Sequence, residues 1–216
     1  MTDYLSSQQD IYTEPSDIDV NTLNNLGPLR FMAGVWKGEK GVDINPKADG
    51  PLIQEYVDWI ELQPIDPQTN GPQLLYGLRY HQHIIKPGEI ETYHDQVGYW
   101  LWEPATETVI QTLAIPRGQV AMAAGKASAE ARQFELIAQR GEMTFGICSN
   151  PFLDTAFQTE KWTIKVSIID MMHWSYEQET SLLIRGSKTP FLHVDKSTLH
   201  KISEPTPNPL ARNQTV

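Results

Sequence analysis

The sequence predicts an all-β protein, a single antiparallel β-barrel of about ten strands preceded by a short helical segment. Three observations carry this. Apolar and polar residues alternate with period two through most of residues 32–202. Turn residues separate the alternating runs, as at Asn70-Gly71-Pro72, Lys86-Pro87-Gly88, Glu103-Pro104 and Arg185-Gly186. Long amphipathic helices, which parallel crossovers need, are missing from the pattern. A chain of 216 residues, 40% of them hydrophobic, is long enough for one substantial core. Hairpin-linked strands in such number are most simply accommodated by closure, which removes sheet edges and can enclose a small ligand.

The elements follow in order. Residues 1–20 are polar and acidic and read as an arm outside the barrel. In VNTLNNLGPLRFMAG, Leu23, Leu26 and Leu29 recur at spacing three, which predicts a short helix or helical turns before the first strand. Strands are expected at Met32–Gly41, Leu52–Leu62, Gln73–Ile84, Ile90–Trp102, Thr106–Ile115, Gly118–Ala124 and Arg132–Arg140. Residues 141–157 (GEMTFGICSNPFLDTAF) lack alternation and read as a loop inserted over one barrel end. The clearest strand is KWTIKVSII, where Trp162, Ile164, Val166 and Ile168 share one face and must be buried. His173–Glu179, Ser181–Gly186 and Phe191–Ile202 complete the set. The barrel domain is thus expected over 21–202, followed by a proline-rich tail over 203–216.

Bulk properties narrow the function. A formal net charge of −10 argues against nucleic acid or an anionic membrane as partner, because phosphate contacts need a basic face. The single cysteine, Cys148, allows neither an internal disulfide nor a thiolate zinc site nor covalent haem attachment. No basic-then-apolar leader opens the sequence and no stretch reaches membrane-span length, so the expected location is the cytoplasm. P-loop, GxGxxG, HExxH and serine-hydrolase contexts are absent, which lowers nucleotide-binding and hydrolase readings. The oligomeric state stays open, a homodimer included.

Six histidines remain as candidates. His81 and His83 sit at spacing two and would share a strand face, either as a metal pair or as a half-exposed pair. His173 reads as a packing or surface residue, and His200, beside Lys201 near the strand's exit, as an exposed one. In ETYHDQVGYWLW, His94, Gln96, Gly98, Trp100 and Trp102 fall on one side and Tyr93, Asp95, Val97, Tyr99 and Leu101 on the other, and either side could face inward. His193 lies in PFLHVDKSTLHK, residues 190–201, and everything turns on its register. An inward His193 supplies a ligand to the interior, whereas a shift of one residue puts Leu192 there instead.

Gly34-x-Trp36-x-Gly38 in the first expected strand, the segment His94-Asp95-Gln96-Val97-Gly98, and a histidine after a proline-containing turn at the start of the last strand together resemble the nitrobindin family over roughly residues 26–202. Gln96 stands where that family has an acid, and the third glycine of its first motif is displaced or replaced in Gly38-x-Lys40-Gly41. The resemblance implies a ten-stranded barrel shaped like a fatty-acid-binding protein that holds haem b non-covalently. It also implies His193 as proximal iron ligand and His94 over the other haem face. The implied activity is binding of nitric oxide, or isomerisation of peroxynitrite to nitrate at ferric haem. The rival expectation is a non-catalytic carrier, the same barrel holding a fatty acid or other apolar molecule.

Overall fold

A computed structural model of the chain describes residues 10–213. Twelve strands occur among them: β1 (Gly34–Lys47), β2 (Gly50–Pro64), β3 (Gln68–Asn70), β4 (Gln73–Ile85), β5 (Thr92–Glu103), β6 (Thr108–Ile115), β7 (Gln119–Lys126), β8 (Gln133–Arg140), β9 (Gly146–Ser149), β10 (Phe157–Ile168), β11 (His173–Ile184) and β12 (Phe191–Ser203). Ten of them close into a ring, because β2 pairs with both β1 and β4, and β12 returns to β1. An eleventh, β9, is wedged between β7 and β8 at one end and pairs parallel with β8, so the sheet is mixed rather than wholly antiparallel. The short β3 only extends the β4 edge.

Alternation builds the interior. Trp162, Ile164, Val166 and Ile168 of β10 are all buried, as their shared face requires. The leucines at spacing three form two 3-10 segments, Thr22–Asn24 and Gly27–Phe31. Three residues per turn puts such positions on one side, and Leu26 and Leu29 there are fully buried under one end of the barrel. Trp36 plugs the same end, donating from Nε1 to the Met32 carbonyl at 2.7 Å and meeting Trp174 edge-on at 6.0 Å.

Several segments depart from the sequence reading. Strand β1 runs on through VDINPK, and the two strands expected at 173–186 are one continuous β11. Residues 141–157 are not a plain loop: they hold β9 and the helix α1 (Pro151–Ala156). Asn150 caps α1 by accepting from the Leu153 N–H at 3.0 Å, with Pro151 in the first turn where its missing N–H costs nothing. Residues 1–9 of the expected N-terminal arm lie outside the described residues. Beyond β12 the chain docks: Asn208 is buried, accepts from Thr22 N–H, and donates to the Val20 carbonyl and Asp66. A second helix, α2 (Pro209–Asn213), follows. Among the described residues no helix is long and apolar enough to cross a membrane.

Candidate functional site

At the barrel end opposite Trp36 lies a cavity of about 500 Å³, within the range of small-molecule and cofactor sites. Its apolar wall is built by Ile84, Leu113, Ile115, Ile147, Phe157 and Leu182. Phe152 and Leu153 of α1 line it as well, and so do the cations Lys47 and Arg117.

Both sequence-predicted histidines line this one cavity. In β12, Leu192, Lys196 and Thr198 are exposed, while Ser197 and Leu199 are buried, so His193 and Asp195 share the inward side. This settles the register left open by the sequence. In β5, the side carrying His94, Gln96, Trp100 and Trp102 faces in. Its ladder to β4 steps from Ile84↔His94 to Ile85↔Thr92, so Tyr93 is an extra residue. Such a bulge re-aims side chains locally, and Tyr93 joins its neighbour His94 on the cavity lining. His81 and His83 share the outer face, where His81 meets Asp95 at 2.8 Å and His83 meets the Thr92 hydroxyl at 3.0 Å. His173 is exposed beside Asp170, and its cross-strand neighbour His200 is absent from the cavity lining.

The polar pole of the cavity was not legible in advance. His193 Nε2 lies 2.8 Å from Asp43 Oδ1 and 3.4 Å from Asp195 Oδ2. Asp43 is only 3% exposed, and its other oxygen accepts from the Tyr93 hydroxyl and from Asn45 Nδ2. Burial disfavours the imidazolium, but hydrogen bonds and charge from Asp195 and Asp43 outweigh it and push the His193 pKa up to about 10. Burial likewise opposes ionisation of Asp43, yet His193, Tyr93 and Asn45 hold its carboxyl below the ordinary carboxylate value. His94 is the opposite case: desolvation dominates and lowers its pKa, so it is a neutral imidazole, with Nε2 3.1 Å from Gln96 Oε1.

A second network backs the cavity through its lining residues Tyr56 and Gln82. Asp58, fully buried, accepts from Tyr176 at 2.6 Å and from Gln82 at 3.0 and 3.1 Å, while the Tyr56 and Tyr176 hydroxyls meet at 3.0 Å. Burial raises the Asp58 pKa to about 7 and moves both tyrosines upward. Clues existed in YVDWI and LRYHQH, where Asp58 and Gln82 share the parity of core residues Ile60 and Tyr80.

The residues fit a haem group. The cavity combines an apolar wall with two cations suited to an anionic ligand edge. His94 offers a neutral imidazole, the form a metal binds. His193 has its Nε2 held by carboxylates, an arrangement that orients metal-bound imidazoles, and its Nδ1 has no hydrogen bond among the described residues. Its raised pKa means that a metal bound there would displace a proton.

Among curated proteins none matches the chain. Among solved structures, the crystal structure of Rv2717c from M. tuberculosis is similar, with a TM-score of 0.59 and 21% identity, over 85% of this chain and 99% of that one. At that identity the likeness speaks for the barrel fold. A family model matches residues 25–201, from the 3-10 plug through the last barrel strand, and therefore spans both histidines and the carboxylates that flank His193. On that match the chain belongs to the family described as the THAP4-like, heme-binding β-barrel domain.

Proposed function

We propose that this barrel binds haem b non-covalently in the cavity between β5 and β12, with His193 as the proximal iron ligand and His94 over the opposite haem face. The observation that supports the reading is that these two imidazoles, from strands far apart in the ring, line one apolar-walled cavity. When bound, the haem iron supplies the reactivity toward nitric oxide or peroxynitrite, which it would isomerise to nitrate. The chain's own residues bind and orient. Asp43 and Asp195 fix the His193 ring, Phe152 and Leu153 of α1 add apolar surface at the cavity, and neutral His94 with Gln96 sets the polarity facing the small ligand. The exposed, unpaired thiol of Cys148 agrees with a reducing, cytoplasmic location.

Hemin titration of the full chain tests this. Wild type is expected to develop a Soret band with saturable stoichiometry. His193→Ala and His193→Gln should shift it and weaken binding at least tenfold, His94→Ala should change the spectrum, and His200→Ala should titrate like wild type. Identical titrations for wild type and both His193 variants would overturn the assignment.

A second reading, a carrier of a fatty acid or other apolar small molecule, draws on the apolar wall of the cavity and on Lys47 and Arg117, which suit a carboxylate. It predicts lipid in organic extracts of the purified protein and no Soret band with hemin.

A further inference from the structure

The polar pole of the cavity gathers the donor set of a metal centre. Asp43 of β1 and Asp195 of β12 stand directly opposite in the ladder and both line the cavity, so two carboxylates face each other across the strands. Like charges so placed repel. His193 Nε2 lies 2.8 Å from Asp43 Oδ1 and 3.4 Å from Asp195 Oδ2, and the three groups can present their ligand atoms within 4.8 Å of one another. Ligand atoms about 2.1 Å from one divalent ion are themselves separated by roughly 3–3.5 Å. These three are therefore already spaced as if around a single ion.

Their surroundings point the same way. Asp43 turns Oδ1 to His193, while its Oδ2 accepts from the Tyr93 hydroxyl and, at 2.7 Å, from Asn45 Nδ2. Outer partners of this kind orient a ligating carboxylate and belong to the design of metal sites. Asn45 also lines the cavity, is 8% exposed, and has an Oδ1 with no hydrogen-bond partner among the described residues. A buried amide oxygen left unpaired is costly. Beside a bound cation it has a use, as a further ligand or as acceptor from a water on the metal.

We propose that Asp43, Asp195 and His193 Nε2 bind one divalent first-row cation in the haem-free chain, with Zn²⁺ as the reference metal. One imidazole with two carboxylates favours Zn²⁺ over Mg²⁺ or Ca²⁺, which take oxygen ligands. Two carboxylates balance a dication, so the filled site is neutral, as a cavity with an apolar wall favours. Three protein ligands leave one position for water. The site needs only β1 and β12 and does not rest on the haem reading.

Calorimetric titration of the haem-free full chain with Zn²⁺ and with Mg²⁺, after removal of metal by chelator, tests it. Zn²⁺ should bind saturably at one site, about a hundredfold or more tighter than Mg²⁺, and should raise the melting temperature. Asp195→Asn, at a side chain that keeps 23% of its exposure, should weaken Zn²⁺ binding by about a hundredfold, and Tyr93→Phe by about tenfold. Tyr93→Phe removes only a hydroxyl, and the circular dichroism of both unliganded variants separates a lost ligand from a lost fold. The double variant His81→Gln, His83→Gln removes the outer-face pair and should leave the titration unchanged. No saturable Zn²⁺ binding, or Zn²⁺ binding no tighter than that of Mg²⁺, would overturn the site. So would binding that survives Asp195→Asn and Tyr93→Phe or falls with the outer pair. Hemin is absent throughout, so failure of hemin to bind in its own titration leaves these outcomes untouched.

Discussion

At the scale of single residues, His193 shows how the barrel holds a charge in its interior. Asp43 is almost wholly buried and would be strongly disfavoured as an anion alone, but the His193 imidazolium, the Tyr93 hydroxyl and the Asn45 amide together satisfy it. Removing the cation strands a carboxylate in the cavity wall. His193→Ala is expected to cost about 3 kcal/mol, the low end for a broken buried pair, because the His193 side chain keeps 27% of its exposure. Adding Asp43→Asn should return part of that loss, since it removes the stranded charge. Urea denaturation of wild type, the single variant and the double variant measures both; a double variant less stable than His193→Ala would show that Asp43 does not carry the penalty.

At the scale of elements, the bulges separate what the sequence discloses from what it conceals. Strict alternation fixed β10 because that strand keeps its parity from Trp162 to Ile168. In β1, Trp36 and Gly38 face in, then the irregularity before Gly41 flips the parity, so Asp43 and Asn45 are buried rather than Val42 and Ile44. A reader who carries the alternation of Trp36 forward puts Asp43 outside and loses half of the site. The Tyr93 bulge does the same in β5 by bringing two consecutive residues to the cavity. The histidines were legible because family-like motifs framed them, whereas their partners come from strands whose register only the folded ring reveals. Helix α1 is the other element missed, six residues held by one cap. Asn150 also donates to the Arg117 carbonyl at 2.6 Å, tying the helix to the β6–β7 turn over the cavity. Asn150→Ala should cost about 1 kcal/mol and speed amide exchange across 151–157. Because Phe152 and Leu153 line the cavity, bound hemin should also dissociate faster, as read by transfer to apomyoglobin; unchanged exchange and dissociation would mean that α1 does not help to retain the ligand.

At the scale of the whole molecule, the buried titratable groups set how stability varies with pH, and their signs can be followed one at a time. Asp58 in the folded barrel keeps its proton up to about 7, against 3.8 for the ordinary carboxyl. Its contribution is therefore complete below pH 3.8 and is lost as pH rises toward 7, at about 1.4 kcal/mol per pH unit at most. His193 has a folded pKa of about 10 against an ordinary 6.5, so its contribution is complete below 6.5 and lost as pH rises through 10. Asp43, held below its ordinary 3.8, works in the other sense: its contribution is present above that value and lost as pH falls through the lowered one. On these three groups the barrel is most stable near pH 4, weakens first with Asp58 and then with His193, and fails in acid as Asp43 protonates. Urea midpoints measured from pH 3 to pH 10 test the profile. Asp58→Asn should remove the first decline and leave the second, and His193→Gln should remove the second and leave the first. Burial lowers the pKa of His94, which makes stability rise toward pH 6.5, so the decisive comparison is in a His94→Gln background: stability that still rises between pH 5 and pH 7 there would mean that Asp58 is ionised in the folded barrel, held by Tyr176 and Gln82 as an anion rather than as a neutral acid.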